Sequence, residues 1–509
     1  MHWSDEAAER LGLRGGSQVI ETGTSISGIP HIGNASDVIR GDCVRRSCQD
    51  AGVDARLIWV SDDMDPFRKV PAGMESLKDY LGFPVKDIPD PKGCHSSFVD
   101  HFANPFIEDL KEFGVEPKIY SATELYRSGA FKDEVVLAFE GRKNILEILN
   151  RFRKEPLPDD FVPWTPICQK CGKISTTTVT GLDGTMVSYE CVDKEVAGGD
   201  TKGCGYVGVQ DALKGFGKFP WRVEWAAKWH HFKVTCEPFG KDHAAAGGSY
   251  DTSKIISEEV FNWPAPIPVA YEFFTLNGAK ISSSKGNVIT LSDWLKIAEP
   301  EVLRYFMFKK LNKARDINLR MLPNLVDEFD QIERMHFGKE SGDVESKRMY
   351  QLSQVQEPKY LNIPYTFCAV LGQVSEEQDY ESRARWNGYD GFDTKRLKNR
   401  AKLAGNWVEK YGPDYLRFTL KTAEEVKAEY LKLDSRIQTC LTQLVDALES
   451  VKDPSIYHKK IYETARANNV DPPELFTAIY KTLIGKEKGP KAAMFLMSLG
   501  EEYLKQAYK

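Results

Sequence analysis

The sequence predicts an α/β protein: a parallel-sheet domain, interrupted by a small cysteine-rich insertion and followed by an all-α C-terminal region. Three observations predict this. Apolar strands flank a helix near the N-terminus, and the composition turns to Cys, Gly and Thr from Pro156 to about Gly208. Beyond Leu291 apolar residues recur at helical spacing almost to the end.

The first strand is Ser17 to Thr24 (SQVIETGT), an apolar run ending in Gly-Thr-Ser. A helix follows from His31 to Asp50, with Ile32, Ala35, Ile39 and Cys43 on one face and Gly52 just beyond its end. Ala55 to Ser61 (ARLIWVS) reads as a second strand. Strand, helix and strand in this order make a parallel βαβ unit of Rossmann-like type, in which ligands bind at the carboxyl ends of the strands. Residues 237–291 return to strand-and-glycine character and complete that sheet.

The expected division is therefore 1–155 and 213–290 for the two halves of the sheet domain and 156–212 for the insertion. Residues 291–345 are expected as a helical connector and 346–509 as a helical C-terminal domain. Its clearest helix is predicted from Thr422 to Val451, where Thr422 and Glu425 form a capping-box pattern and Val426, Tyr430, Leu433, Ile437, Leu441, Leu444 and Leu448 recur at helical spacing. Another opens at Asp471-Pro472 and stops at Gly485.

The composition, 41% hydrophobic and 28% charged, is that of an ordinary globular chain. Charged residues near the N-terminus (Asp5, Glu6, Glu9, Arg10) argue against a signal peptide, and no long uncharged apolar run marks a membrane span. Ten cysteines in 509 residues are too few for a disulfide scaffold, which points to a reducing, cytoplasmic setting. With a net charge of −6, a nucleic-acid partner would be held by local patches.

Two segments carry the chemistry. Ser25-Ile26-Ser27-Gly28-Ile29-Pro30-His31-Ile32-Gly33-Asn34 lies where the first strand meets its helix. A helix N-terminus offers free N–H groups to phosphate, Gly33 permits close approach of a nucleoside, and His31 and Asn34 are placed to address one ligand. Roughly 250 residues later, Lys280-Ile281-Ser282-Ser283-Ser284-Lys285-Gly286-Asn287 forms a cationic, hydroxyl-rich loop suited to clamp a triphosphate and neutralise departing pyrophosphate. No GxxxxGK[ST] run is present, so this is not a P-loop.

Two metal clusters are also expected. Cys168-x2-Cys171 with Cys191 and Cys204 offers four thiolates for a closed tetrahedral zinc, which makes the insertion a zinc ribbon. Asp90, Cys94, His95 and His101 offer oxygen, sulfur and two imidazoles within twelve residues, enough to close around a second structural zinc.

HIGN resembles the HIGH signature of class I aminoacyl-tRNA synthetases, and KISSSKGN resembles their KMSKS loop. Longer segments narrow the likeness: ETGTSISGIPHIGN, WRVEW from Trp221, FGKDH from Phe239 running into GGSYD, and PPELFTAIYKTLIGKEKGP. Together they resemble the class I lysyl-tRNA synthetases, from Glu21 to about Ala507. Asn34 stands in place of the second histidine and Ser283 in place of the second KMSKS lysine, with Lys285 able to supply that charge.

The resemblance implies activation of L-lysine by ATP with Mg2+, then transfer to tRNA(Lys), and a requirement for bound tRNA before activation. It implies catalytic roles for His31, Asn34, Lys280, Ser283 and Lys285. For ATP it implies Ser25, His31, Gly33, Asn34, Gly247, Gly248, Lys280 and Lys285. A lysine ammonium needs a carboxylate or an aromatic face. Trp221, Glu224, Asp242 and Tyr271 are the candidates, with Gly23, Ser25 and His243 at matching substrate positions. Trp225 reads as core. The resemblance makes the C-terminal helices an anticodon-binding domain, so the basic run Lys395, Arg396, Lys398, Arg400 and Lys402 is expected to meet RNA phosphate, with Lys309, Lys310, Lys313 and Arg315 a sparser patch. Motifs shared across class I leave a glutamyl or cysteinyl specificity, or a non-catalytic tRNA-binding relative, as the alternatives.

Overall fold

The computed structural model describes residues 1–281, 287–451 and 453–509. These form two compact units, Met1–Ser292 with Met307–Ile317, and Asp293–Phe306 with Asn318–Lys509.

The first unit is built on a five-stranded parallel sheet. Its strands are β1 (Gln18–Thr24), β2 (Ala55–Ser61), β3 (Lys118–Ser121), β4 (Cys236–Gly240) and β5 (Ile267–Tyr271), in the spatial order β5-β4-β1-β2-β3. The chain moves outward from β1 through β2 to β3, then returns to the other side of β1. The order therefore reverses between β1 and β4, the switch point at which such sheets open a crevice. Helix α1 (Ile32–Asp50) joins β1 to β2 and buries Ile32, Ala35, Ile39 and Cys43, as its spacing predicts. A side chain at Gly41 would meet Leu57 at 2.7 Å and Thr22 at 3.0 Å, so this glycine lets α1 close onto the sheet.

The insertion is entered and left through one antiparallel pairing, Thr165–Pro166 against Gly217–Lys218. Beyond this neck lies a three-stranded antiparallel sheet of Thr177–Asp183, Met186–Cys191 and Val207–Asp211.

Residues 291–345, expected as a connector, are divided between the two units. The helical pattern expected beyond Leu291 is broken by a strand, Arg315–Ile317, which pairs in parallel with Phe274–Leu276 in the first unit. The second unit is helical. Its centre includes α2 (Leu322–His336) and α3 (Thr394–Tyr411), which carry the buried Asp330 and Arg400. The helix predicted from Thr422 to Val451 is two helices, Ala423–Tyr430 and Ser435–Ala447. The capping box at Thr422 and Glu425 forms. The break comes at Asp434, whose carboxylate accepts from the N–H of Arg436 and starts a new helix. Pro472–Ile484 ends at Gly485 with φ of 69°, as expected. No helix among the described residues is long and apolar enough to cross a membrane.

Candidate active site and metal clusters

His31 caps α1. Its Nδ1 accepts from the N–H of Gly33 at 3.0 Å, while the Asn34 side-chain oxygen accepts from the His31 N–H at 3.0 Å. This reciprocal box fixes both side chains at the helix start. It also leaves the imidazole proton on Nε2 and the Asn34 amide NH2 free to donate. Burial pushes the His31 pKa down to about 4, so the ring is neutral at physiological pH. Gly33 has a reason beyond nucleoside approach: a side chain there would meet the His31 ring at 2.7 Å.

The helix start is tied to the second motif. The N–H of Ile32 donates to the carbonyl of Ile289 at 3.0 Å, and the Asn287 side-chain amide donates to the carbonyl of Lys280 at 3.3 Å. The two ends of the loop are thus pinned beside HIGN. Ser283 and Lys285 lie outside the described residues. Lys280 is exposed and lines the cavity.

A cavity of about 540 Å³ opens at the switch point between β1 and β4. Gly23, Ser25, His31, Gly33, Asn34, Trp221, Asp242, His243, Tyr271 and Lys280 all line it, which brings most of the expected residues together. Glu224 does not line it. That carboxylate is fully buried, pairs with Lys218 at 2.7 Å and accepts from the Tyr126 hydroxyl at 2.9 Å. Gly247 and Gly248 are likewise not on this wall; they form the turn that starts the helix Ser249–Glu259. Trp225 is buried as expected, but also lines the cavity, stacked on Trp221 at 5.2 Å.

The carboxylates that reach the cavity are Glu21, Asp37, Asp62, Glu237 and the expected Asp242. Asp62 pairs with the buried ammonium of Lys228. Glu237 accepts from the indole N–H groups of Trp225 and Trp229, and burial raises its pKa to about 8. Burial, reinforced by Glu237, lifts Glu21 well above the ordinary range. Asp37 is lifted to about 7 by burial and accepts from the Tyr271 hydroxyl, with the Arg40 guanidinium 4.0 Å from the Tyr271 ring centre. Burial thus favours the protonated form of Glu21, Asp37 and Glu237, and a cation placed against them would favour the ionised form. The sequence carries a signal for these residues: Glu21 and Glu237 interrupt apolar strands, where an ionised carboxylate is expensive without a partner.

Both metal clusters assemble. The ligand atoms of Cys168, Cys171, Cys191 and Cys204 lie within 4.8 Å of one another, as do those of Asp90, Cys94, His95 and His101. Sulfur pairs Cys168–Cys204 and Cys171–Cys191 are 3.6 and 3.7 Å apart. A tetrahedral ion with metal–sulfur bonds of about 2.3 Å spaces its sulfurs at about 3.8 Å, so the set fits such an ion. Gly172 and Gly205, each following a cysteine, take φ of 79° and 68°, the tight turns that fold the backbone around the sulfurs. In the second cluster Cys94 Sγ lies 3.1 and 3.4 Å from Nδ1 of His95 and His101, and Asp90 is 3.0 Å from His101.

The basic run divides. Lys395 is exposed and Lys398 is partly exposed beside Glu377, whereas Arg400 is fully buried between Asp330 and Glu299. Arg396 pairs with the buried Glu333. The two arginines expected to meet RNA are therefore internal counter-ions, because on α3 they share the face that packs inward.

Comparison with known proteins agrees with this geometry. The family model described as tRNA synthetases class I (K) matches residues 1–356. A lysine–tRNA ligase of Methanosphaera stadtmanae is 36% identical over 100% of this chain and 99% of its own length. That of Methanocaldococcus jannaschii is 36% identical with the same coverage. The corresponding ligase of Archaeoglobus fulgidus is 35% identical over 100% of this chain and 99% of its own. With a match over the whole of the sheet unit and relatives aligned from end to end, the chain belongs to the class I tRNA synthetases of the (K) family.

Proposed function

We infer that this chain is a lysine–tRNA ligase, which activates L-lysine with ATP and passes the lysyl group to the 3′ end of tRNA(Lys). The observation that carries the reading is the acid-lined cavity, placed between His31 and Lys280 in a chain that matches lysine–tRNA ligases along its whole length. Glu21, Asp37 and Glu237 offer carboxylates to a substrate ammonium, and the paired indoles of Trp221 and Trp225 offer an aromatic face. A glutamate side chain would be repelled here, and a cysteine side chain would leave the carboxylates without a cation.

In the first step a lysine carboxylate oxygen attacks the α-phosphorus of ATP, the bond from that phosphorus to the bridging oxygen breaks, and pyrophosphate leaves with the electron pair. Neutral His31 donates through Nε2–H and Asn34 through its amide to charge developing on phosphate. Lys280 and Lys285 neutralise the departing pyrophosphate. This is catalysis by positioning and charge. Magnesium accompanies ATP. In the second step a ribose hydroxyl at the tRNA 3′ end attacks the lysyl carbonyl and AMP leaves.

Each cluster holds a structural zinc in this reading, the thiolate set within the ribbon and the mixed set at residues 90–101. The helical unit receives the anticodon stem-loop, with Lys395 and Lys398 as phosphate contacts.

The test is charging of total tRNA with each amino acid in turn. Lysine alone should be incorporated. Charging with glutamate or cysteine would overturn the specificity, and no charging at all would overturn the enzyme reading.

A further inference from the structure

A second cavity, of about 480 Å³, is lined in part by the segment that precedes His31. Ser25 lines both cavities, so the two adjoin at that residue. The second cavity is lined by Ser27, Arg68, Lys69, Pro71 and Met74 as well as Ser25. It also includes Asp65, whose charge is met by Lys218 and which accepts from the Ser25 hydroxyl at 2.9 Å. Arg68 and Lys69 are exposed, and neither forms an ion pair among the described residues. The site therefore presents two cations without counter-ions, small hydroxyls, and the apolar surfaces of two prolines, Pro66 and Pro71, and a methionine.

The established chemistry has a third reactant, the acceptor end of tRNA, which must bring a ribose hydroxyl to the lysyl carbonyl without displacing ATP or lysine. We propose that this second cavity receives the 3′-terminal nucleotides of the acceptor strand, with Arg68 and Lys69 binding their phosphates and the apolar residues packing on sugar and base. Cations hold the phosphates of a single strand, and an arginine plane such as that of Arg68 can also stack on an unpaired base. A terminal ribose at the Ser25 end of this cavity then lies next to the adenylate, and Asp65 fixes Ser25 through its hydroxyl. Free ATP could meet the same two cations, so its binding is one arm of the test. The assignment rests on the ligase reading.

The experiment compares tRNA(Lys) with tRNA(Lys) lacking its last three nucleotides, using full-length enzyme and the double variant Arg68→Ala, Lys69→Ala. Unmutated enzyme should bind the intact tRNA more tightly than the truncated one. The variant should lose that preference, bind truncated tRNA as before, and bind a non-hydrolysable lysyl-adenylate analogue as before. The salt dependence of intact tRNA binding should fall by roughly 1.4 in log–log slope, for two phosphate contacts on a single strand. Arg68→Lys with Lys69→Arg should restore most of the preference. A double variant that keeps the full preference would overturn the assignment, as would one that weakens binding of both tRNAs equally. A raised KM for ATP with tRNA discrimination intact would give the cavity to triphosphate instead. If unmutated enzyme charges no tRNA with lysine, the ligase reading falls and this assignment with it; normal charging with an unaffected variant removes the assignment alone.

Discussion

The backbone N–H of Ile32 donates to the carbonyl oxygen of Ile289 at 3.0 Å. This bond ties the start of α1, with His31 and Asn34, to the chain two residues beyond the KISSSKGN segment. In the ligase reading the lysines of this loop neutralise the charge that develops on pyrophosphate. Lys280→Ala and Lys285→Ala should each lower kcat for lysine-dependent pyrophosphate exchange by roughly 10²-fold. The KM for lysine should change little, since neither lysine serves the amino-acid end of the site. Unchanged kcat in both variants would remove the loop from the mechanism.

Glu237 sets a pH dependence. Its pKa is raised from an ordinary 4.5 to about 8 by burial, so between these values the folded enzyme holds a proton that the unfolded chain has lost. The stability this contributes is complete below about 4.5 and is lost as pH rises through about 8. Ligand-free Glu237→Gln should therefore lose less melting temperature than the unmutated enzyme between about pH 6 and pH 9. The KM for lysine should fall in the unmutated enzyme as Glu237 ionises, and this fall should shrink in the variant. Parallel profiles would separate Glu237 from the substrate ammonium.

Purified protein should carry about two zinc equivalents, one for each cluster. Cys171→Ser should release one and increase amide exchange within residues 165–218, while the parallel sheet stays protected. Elemental analysis that finds no metal in active, normally melting protein would remove both sites.

Arg400 and Lys395 should separate stability from RNA binding. Arg400→Met leaves Asp330 and Glu299 buried without their counter-ion, a loss of about 3–5 kcal/mol by analogy with broken buried pairs. Lys395→Ala with Lys398→Ala should leave the melting temperature within about a degree or two and weaken tRNA binding, with a shallower salt dependence. A fall in tRNA affinity for Arg400→Met beyond that explained by its unfolded fraction would return Arg400 to the RNA interface.

The strands and helices that carry the site were legible because their periods and end signals are local. β1, α1 and β2 follow from apolar spacing, and the caps at Asp471 and Gly485 from single residues. That each expected ligand set would come together was legible from its spacing, Asp90 to His101 within twelve residues and the Cys168-x2-Cys171 knuckle. What was missed depends on partners distant in the chain. Glu224 looked free to meet substrate until Lys218 and Tyr126 were found against it, and Arg400 looked like a surface charge until Asp330 and Glu299 were. Glu21 and Glu237 were overlooked because strand residues read as core, although a carboxylate in such a strand is itself the clue. The single helix read from 422 to 451 failed at Asp434, where a side-chain cap outweighed an unbroken apolar rhythm.

The neck of the cysteine-rich insertion carries a charge on which the sheet unit relies. Lys218, on the returning strand of the Thr165–Pro166 pairing, is the cation that meets both Glu224 and Asp65, the latter in the wall of the second cavity. An exchange of residues 165–218 for a plain loop would therefore remove more than an appendage: it would strip a positive charge from under Ser25 and leave two carboxylates to repel each other. A graft that keeps activity has to return an ammonium to that spot, which makes the last residue of the insertion the least replaceable part of it.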